Sequence, residues 1–154
     1  LGEQHNSNWF YNLSLFGNST AMQDLPLNDK IFLAQASVIR KVADEGSCVI
    51  VGRCADYVLR EQPGVTSIFI YADMNVRIAC LMERRRITRD EAITLIKKTD
   101  KSRRNYYECY TGKRWGAGAS YDVTLNSAEL GLDTCVDLIC SLYERKQEGD
   151  AQAR

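Results

Sequence analysis

Two short apolar runs rich in β-branched residues constrain the fold of this chain more than any other feature. Cys48-Val49-Ile50-Val51 and Ser67-Ile68-Phe69-Ile70-Tyr71 lack the polar alternation of a half-solvated sheet. Such runs predict strands buried on both faces, as in a parallel sheet covered by helices. Between them, Cys54 to Arg60 predicts a short helix and Pro63-Gly64 a turn. Strand, crossover and strand of this length imply parallel, right-handed units. Tyr121 to Leu125 alternates as a third strand and ends at Asn126.

The helices follow from spacing and caps. From Asn28 onward Ile31, Ala34, Val38 and Val42, with Phe32, Ala36, Ile39 and Ala43 alongside, keep a helical period until Gly46, a residue suited to a left-handed helix end. Asp73 is placed to cap a helix that turns Val76, Ala79, Cys80 and Met82 inward. Thr88-Arg89-Asp90-Glu91 has the pattern of a capping box, so a new helix starts at Arg89 and runs to about Tyr107. Arg84, Arg85 and Arg86 therefore lie at a corner between two helices. Thr134 to Asp137 predicts the cap of a last helix, with Val136, Ile139, Leu142 and Tyr143 toward the sheet. Residues 1 to 27, with an aromatic patch at Trp9, Phe10 and Tyr11, read as loop or short helix.

Charge is distributed unevenly along this framework. The formal net charge is zero, yet from Arg84 to Arg114 eleven Lys and Arg stand against four Asp and Glu. A local excess of that sign suits a phosphate-sized anion gripped by a mobile element. Charge alone leaves a solvated helix face equally open. On the second helix Asp100, Arg103, Arg104 and Tyr107 follow i, i+3, i+4 and i+7 and share one face, where a carboxylate and two guanidiniums could hold a polar ligand. The competing reading pairs Asp100 with Arg104 across one turn. Arg53 follows Gly52 at the carboxyl end of a strand, where open α/β sheets place ligands.

Several function classes recede. The lone His5 leaves His-based metal sites and Ser-His or Cys-His nucleophile pairs without a base. No window approaches the apolar length of a membrane span, and the six cysteines show no Cys-x-x-Cys spacing, which suits a reducing, cytoplasmic setting. Asn12-Leu13-Ser14 and Asn18-Ser19-Thr20 match a glycosylation pattern but have no secretory context. The Thr111-Gly112-Lys113 tripeptide is not a P-loop, which needs Gly-x-x-x-x-Gly-Lys-Ser/Thr between a strand and a helix; this loop joins a helix to a strand.

Taken together, Val49 to Asp56, Phe69 to Ala72 followed by Arg77, the Asp100-Lys101-x-Arg103 helix with Tyr106-Tyr107, Tyr110-Thr111-Gly112-Lys113-x-Trp115, and Tyr121-Asp122 to Asn126 resemble the cytidylate kinase-like family over about residues 30 to 143. The resemblance implies a P-loop nucleoside monophosphate kinase fold: a three-layer parallel sheet with helices on both faces, one domain over residues 1–154, and an arginine-rich lid over 84–115. It implies phosphoryl transfer from ATP, with Mg2+, to a nucleoside monophosphate such as CMP or dCMP. In that pattern Arg53 grips the acceptor phosphate and Asp56 lies near the acceptor nucleotide. Asp100 and Arg103 match the Asp-x-x-Arg that contacts acceptor sugar and phosphate, and Arg84 belongs to the lid. Arg84, Arg103 and Arg104 are the candidate catalytic cations, since phosphoryl transfer asks mainly for positive charge on the transferring group and a closing element that excludes water.

The family's first strand, P-loop and following helix have no counterpart in residues 1 to 27, and three strands stand where five are expected. The expectation is an N-terminally incomplete kinase domain, inactive as the chain stands, or a relative that binds nucleotide or partner without catalysis. A nucleic-acid module stacking bases on Tyr106, Tyr107, Tyr110 and Trp115 is the remaining reading. No membrane partner is expected.

Overall fold

The computed structural model describes residues 25–152. The aromatic patch, His5 and both glycosylation patterns lie outside the described residues. The described residues divide into two compact units, 25–65 with 102–115, and 66–101 with 116–152.

In the first unit α1 spans Leu27–Glu45 and α2 spans Ala55–Val58. Asp29 and Lys30 donate their amides to the Pro26 carbonyl, closing the first turn of α1, and Gly46 at φ 144° ends it where a side chain would be strained. Helix α1 is apolar on more than one face. Phe32, Leu33, Ala36 and Ile39 are buried, whereas Ile31, Val38 and Val42 are exposed. The buried set packs the unit's core together with Cys54, Ala55, Tyr57, Val58 and Leu59 around α2. Each large aliphatic or aromatic group so buried contributes roughly 1.5–3 kcal/mol.

The expected strand at Cys48 to Val51 is absent, which corrects the reading of its apolar run. No described residue pairs with it, and Val49 and Val51 are 92% and 88% exposed. An apolar run records a tendency to be covered; a strand exists only through hydrogen bonds to a neighbour.

In the second unit β1, Ile68–Tyr71, pairs parallel with β2, Val123–Asn126, in the register Ile68 to Val123 through Tyr71 to Asn126. Among the described residues the sheet has these two strands, not the three the sequence suggests, and the architecture is a helix-rich mixed α/β arrangement. The register is pinned ahead of the strands: Asp122 Oδ2 accepts from the Ser67 amide and hydroxyl, both at 2.7 Å, and the Asp122 amide donates back to Ser67 Oγ at 3.0 Å. Phe69 stacks on Tyr121 with ring centroids 4.9 Å apart.

Helix α3, Met74–Arg85, and helix α4, Arg89–Thr111, meet at the expected corner. Arg86 at φ 52° ends α3, and the capping box is formed, with Glu91 Oε2 accepting from the Thr88 amide and hydroxyl at 2.8 Å. Helix α4 continues one turn past the expected end at Tyr107. Ile78 packs with Ala92 and Ile96, and with Leu81, Met82, Ile87 and Ile93 around them. The inward face of α3 is thus Ile78, Leu81 and Met82, while Val76, Ala79 and Cys80 are exposed, because the two stripes share the same helical period and the bulkier one buries more surface. Asp73 occupies the N-cap position, but no side-chain hydrogen bond from it closes the cap.

After β2 a short α5, Ser127–Leu130, is capped by Asn126 Oδ1, and α6 runs Leu132–Gln152. This last helix begins at Leu132, ahead of the expected Thr134 cap. Cys135 is buried, Ile139 and Leu142 are half-buried, and Val136 and Tyr143 are exposed, so only part of the expected face points inward. All six cysteines are unpaired.

Candidate anion-binding site

In the first unit the apolar run ends in three successive left-handed residues: Gly52, Arg53 and Cys54, with φ 73°, 56° and 57°. Glycine adopts this conformation without strain; Arg53 and Cys54 each cost about 1–2 kcal/mol. The surroundings hold them there. Ala55 donates its amide to the Gly52 carbonyl at 3.1 Å, Tyr57 and Val58 donate to the Cys54 carbonyl at 3.0 and 2.9 Å, and the Cys54 side chain is sunk into the core. The consequence is a buried thiol next to an exposed guanidinium. Burial, and after it the charge of Asp56, pushes the Cys54 thiol up to about 12, with Arg53 opposing. Cys54 therefore stays protonated and serves as packing, not as a nucleophile.

The carboxyl-terminal part of α4 stands behind this loop and contributes three tyrosines. Tyr107 donates its hydroxyl to Asp56 Oδ2 at 2.7 Å, Tyr106 to Gln35 Oε1 at 2.9 Å, and Tyr110 to Asp29 Oδ1 at 2.9 Å. Phe32 stacks flat on Tyr110, 4.1 Å between centroids, and Tyr106 meets Tyr110 edge-on at 4.9 Å. Burial, and after it the Cys54 thiol, raises the Tyr106 pKa, with the charge of Arg53 opposing. Tyr110 is raised further, by burial first and then by the Asp29 carboxylate it donates to. Tyr107 and Tyr110 are buried, so neither ring is presented for stacking on a base.

Of the expected site residues, the loop and the first turn of α2 bring Arg53 and Asp56 into one neighbourhood. Arg103 and Arg104 belong to the same unit and are exposed on α4. In the second unit Arg84 is exposed at the corner beside Arg85 and Arg86. Asp100, in that unit as well, is gripped by Arg77 through two hydrogen bonds of 2.7 and 2.8 Å, a tertiary partner that replaces the expected one-turn pair with Arg104. Helix spacing shows which residues share a face of one helix; it carries no information about Arg77, which comes from another. Gln35 and Asp29 are likewise invisible in the sequence as tyrosine partners. The one local signal is the adjacent pair Tyr106-Tyr107, too polar at the hydroxyl to be buried without acceptors. An open depression over Asp90, Glu91, Thr94, Leu95 and Lys98 sets two acids against one lysine, a lining that does not suit an anion.

Among the described residues no three His, Cys, Asp or Glu side chains converge to hold a metal, and Asp56 and Asp100 each take a protein donor. These side chains do not form a Mg2+ cage. Among them, too, no helix is long and apolar enough to cross a membrane.

The frame is a helix-rich mixed α/β arrangement whose left-handed loop presents an exposed arginine. The chain belongs to the cytidylate kinase-like family, whose model matches residues 2–129. The match begins nearer the amino end than the motifs at 49–126 alone suggest. Among solved structures the chain is similar to an uncharacterized protein from Eubacterium ventriosum ATCC 27560, at 32% identity and a TM-score of 0.72, over 77% of this chain and 74% of that one. No curated protein matches the chain. Family membership marks the protein as a relative of nucleotide kinases.

Proposed function

We propose that this protein binds a nucleoside monophosphate, CMP or dCMP, as the acceptor in phosphoryl transfer from ATP. The observation that carries the reading is Arg53: an exposed guanidinium held on left-handed backbone, beside the Asp56 carboxylate. Backbone strain of this kind collects at binding sites, because the surroundings must fix what the residue alone would avoid. A guanidinium so fixed offers a phosphate two parallel charge-assisted hydrogen bonds. Asp56 then faces the nucleoside. Residues 84–115 act as the closing element, with Arg84, Arg103 and Arg104 neutralising charge on the transferring phosphoryl as water is excluded. ATP enters as its magnesium complex, the ion held by the nucleotide phosphates.

A second reading, nucleotide binding without turnover, is favoured by one sequence fact: Gly-x-x-x-x-Gly-Lys-Ser/Thr occurs nowhere in the 154 residues. ADP formation from ATP, with and without CMP, separates the two. CMP-dependent ADP release supports transfer, whereas CMP binding with no release supports the second reading.

A further inference from the structure

The left-handed loop needs an external hold, and the side chain that reaches its carboxylate comes from α4. Tyr107, only 5% exposed, places its hydroxyl 2.7 Å from Asp56 Oδ2. Its neighbour Tyr106 donates to Gln35 at 2.9 Å, and the Tyr106 ring is held edge-on against Tyr110 and Phe32. A carboxylate that takes one hydrogen bond from a buried phenol keeps its other oxygen in a set direction.

We propose that Tyr107 is a positioning residue of the acceptor site, setting the Asp56 carboxylate toward the nucleoside. This rests on the reading of the loop as the acceptor site. Loss of the Tyr107 hydroxyl touches recognition of the nucleoside and leaves recognition of the phosphate intact. A purely structural role would disturb both together.

The test is calorimetric titration of the 154-residue chain with CMP and, separately, with inorganic phosphate, in wild type, Tyr107→Phe, Asp56→Asn and the Tyr107→Phe/Asp56→Asn double variant. The Phe variant keeps the packed ring. Tyr107→Phe is expected to weaken CMP about tenfold, the scale of one hydrogen bond to a charged group, and to leave phosphate unchanged. In the Asp56→Asn background Tyr107→Phe is expected to cost nothing further. Unchanged CMP affinity in Tyr107→Phe, equal losses of CMP and phosphate in that variant, or additive losses in the double variant would each overturn the assignment. A wild-type chain that binds no CMP overturns the reading of the site and the assignment with it; wild-type binding with any of the other results overturns the assignment alone.

Discussion

Arg77 on α3 holds Asp100 on α4 in a bidentate pair, Nη1 to Oδ2 at 2.7 Å and Nη2 to Oδ1 at 2.8 Å, with the side chains 31% and 19% exposed. The Asp100 hydrogen bond is the main reason the Arg77 pKa is raised. Two charge-assisted bonds in a partly desolvated setting stabilise more than a surface ion pair, and removing either partner loses both bonds. Arg77→Ala and Asp100→Ala should each destabilise the chain by about 1.5–3 kcal/mol, and the double variant by much less than their sum. Urea unfolding of the four chains measures this, and additive losses would mean the pair is incidental.

Gly116 sits at φ 75°, and a Cβ there would come within 3.2 Å of the Phe69 ring tip, itself stacked on Tyr121. Gly116→Ala should therefore cost more than the roughly 1–2 kcal/mol of left-handed strain alone. Gly64, at φ 79° with nothing near its Cβ position, is the control that isolates the strain. Equal shifts in unfolding midpoint for the two alanine variants would remove the ring contact from the account.

What the sequence reveals here is what is local. The Thr88–Glu91 capping box and the Arg84–Arg86 corner are read correctly because every partner lies within one helical turn. The tertiary contacts span far more chain: Arg77 to Asp100 in the second unit, and Asp56 to Tyr107, Gln35 to Tyr106 and Asp29 to Tyr110 around the loop of the first. No spacing rule pairs such residues. The run at Cys48 to Val51 shows the reverse failure. Its composition suits a buried strand, but its ladder depends on a neighbour that the run itself does not specify. On α3 both Val76-Ala79-Cys80 and Ile78-Leu81-Met82 satisfy one period, and only packing against Ala92 and Ile96 chooses between them. The sequence places Arg53 at the end of a strand that does not form, and its left-handed backbone is not legible there.

Asp122 gives the sheet a pH dependence. The Ser67 amide, then the Ser67 hydroxyl, hold its carboxyl below the ordinary value of 3.8. A carboxylate depressed by folding contributes its full stabilisation above its unfolded value, and the contribution fades as pH falls through the lower folded value. Wild type should thus lose, between about pH 4 and its acid limit, an increment of stability that Asp122→Asn lacks throughout. Urea midpoints at pH 6 and pH 3 check this. Parallel losses in both chains would assign the acid sensitivity elsewhere.

The central claim is that Arg53 receives the phosphate of a nucleoside monophosphate, and calorimetry of wild type and Arg53→Ala with CMP tests it most directly. A lost charged hydrogen-bonding partner is worth about 1.5–3 kcal/mol, roughly ten- to a hundredfold in affinity. The account predicts CMP binding to wild type and a loss of that size in Arg53→Ala, with the unfolding midpoint not lowered because the variant removes an exposed side chain from strained backbone. Equal CMP affinity in the two chains, or no CMP binding by wild type, would contradict it.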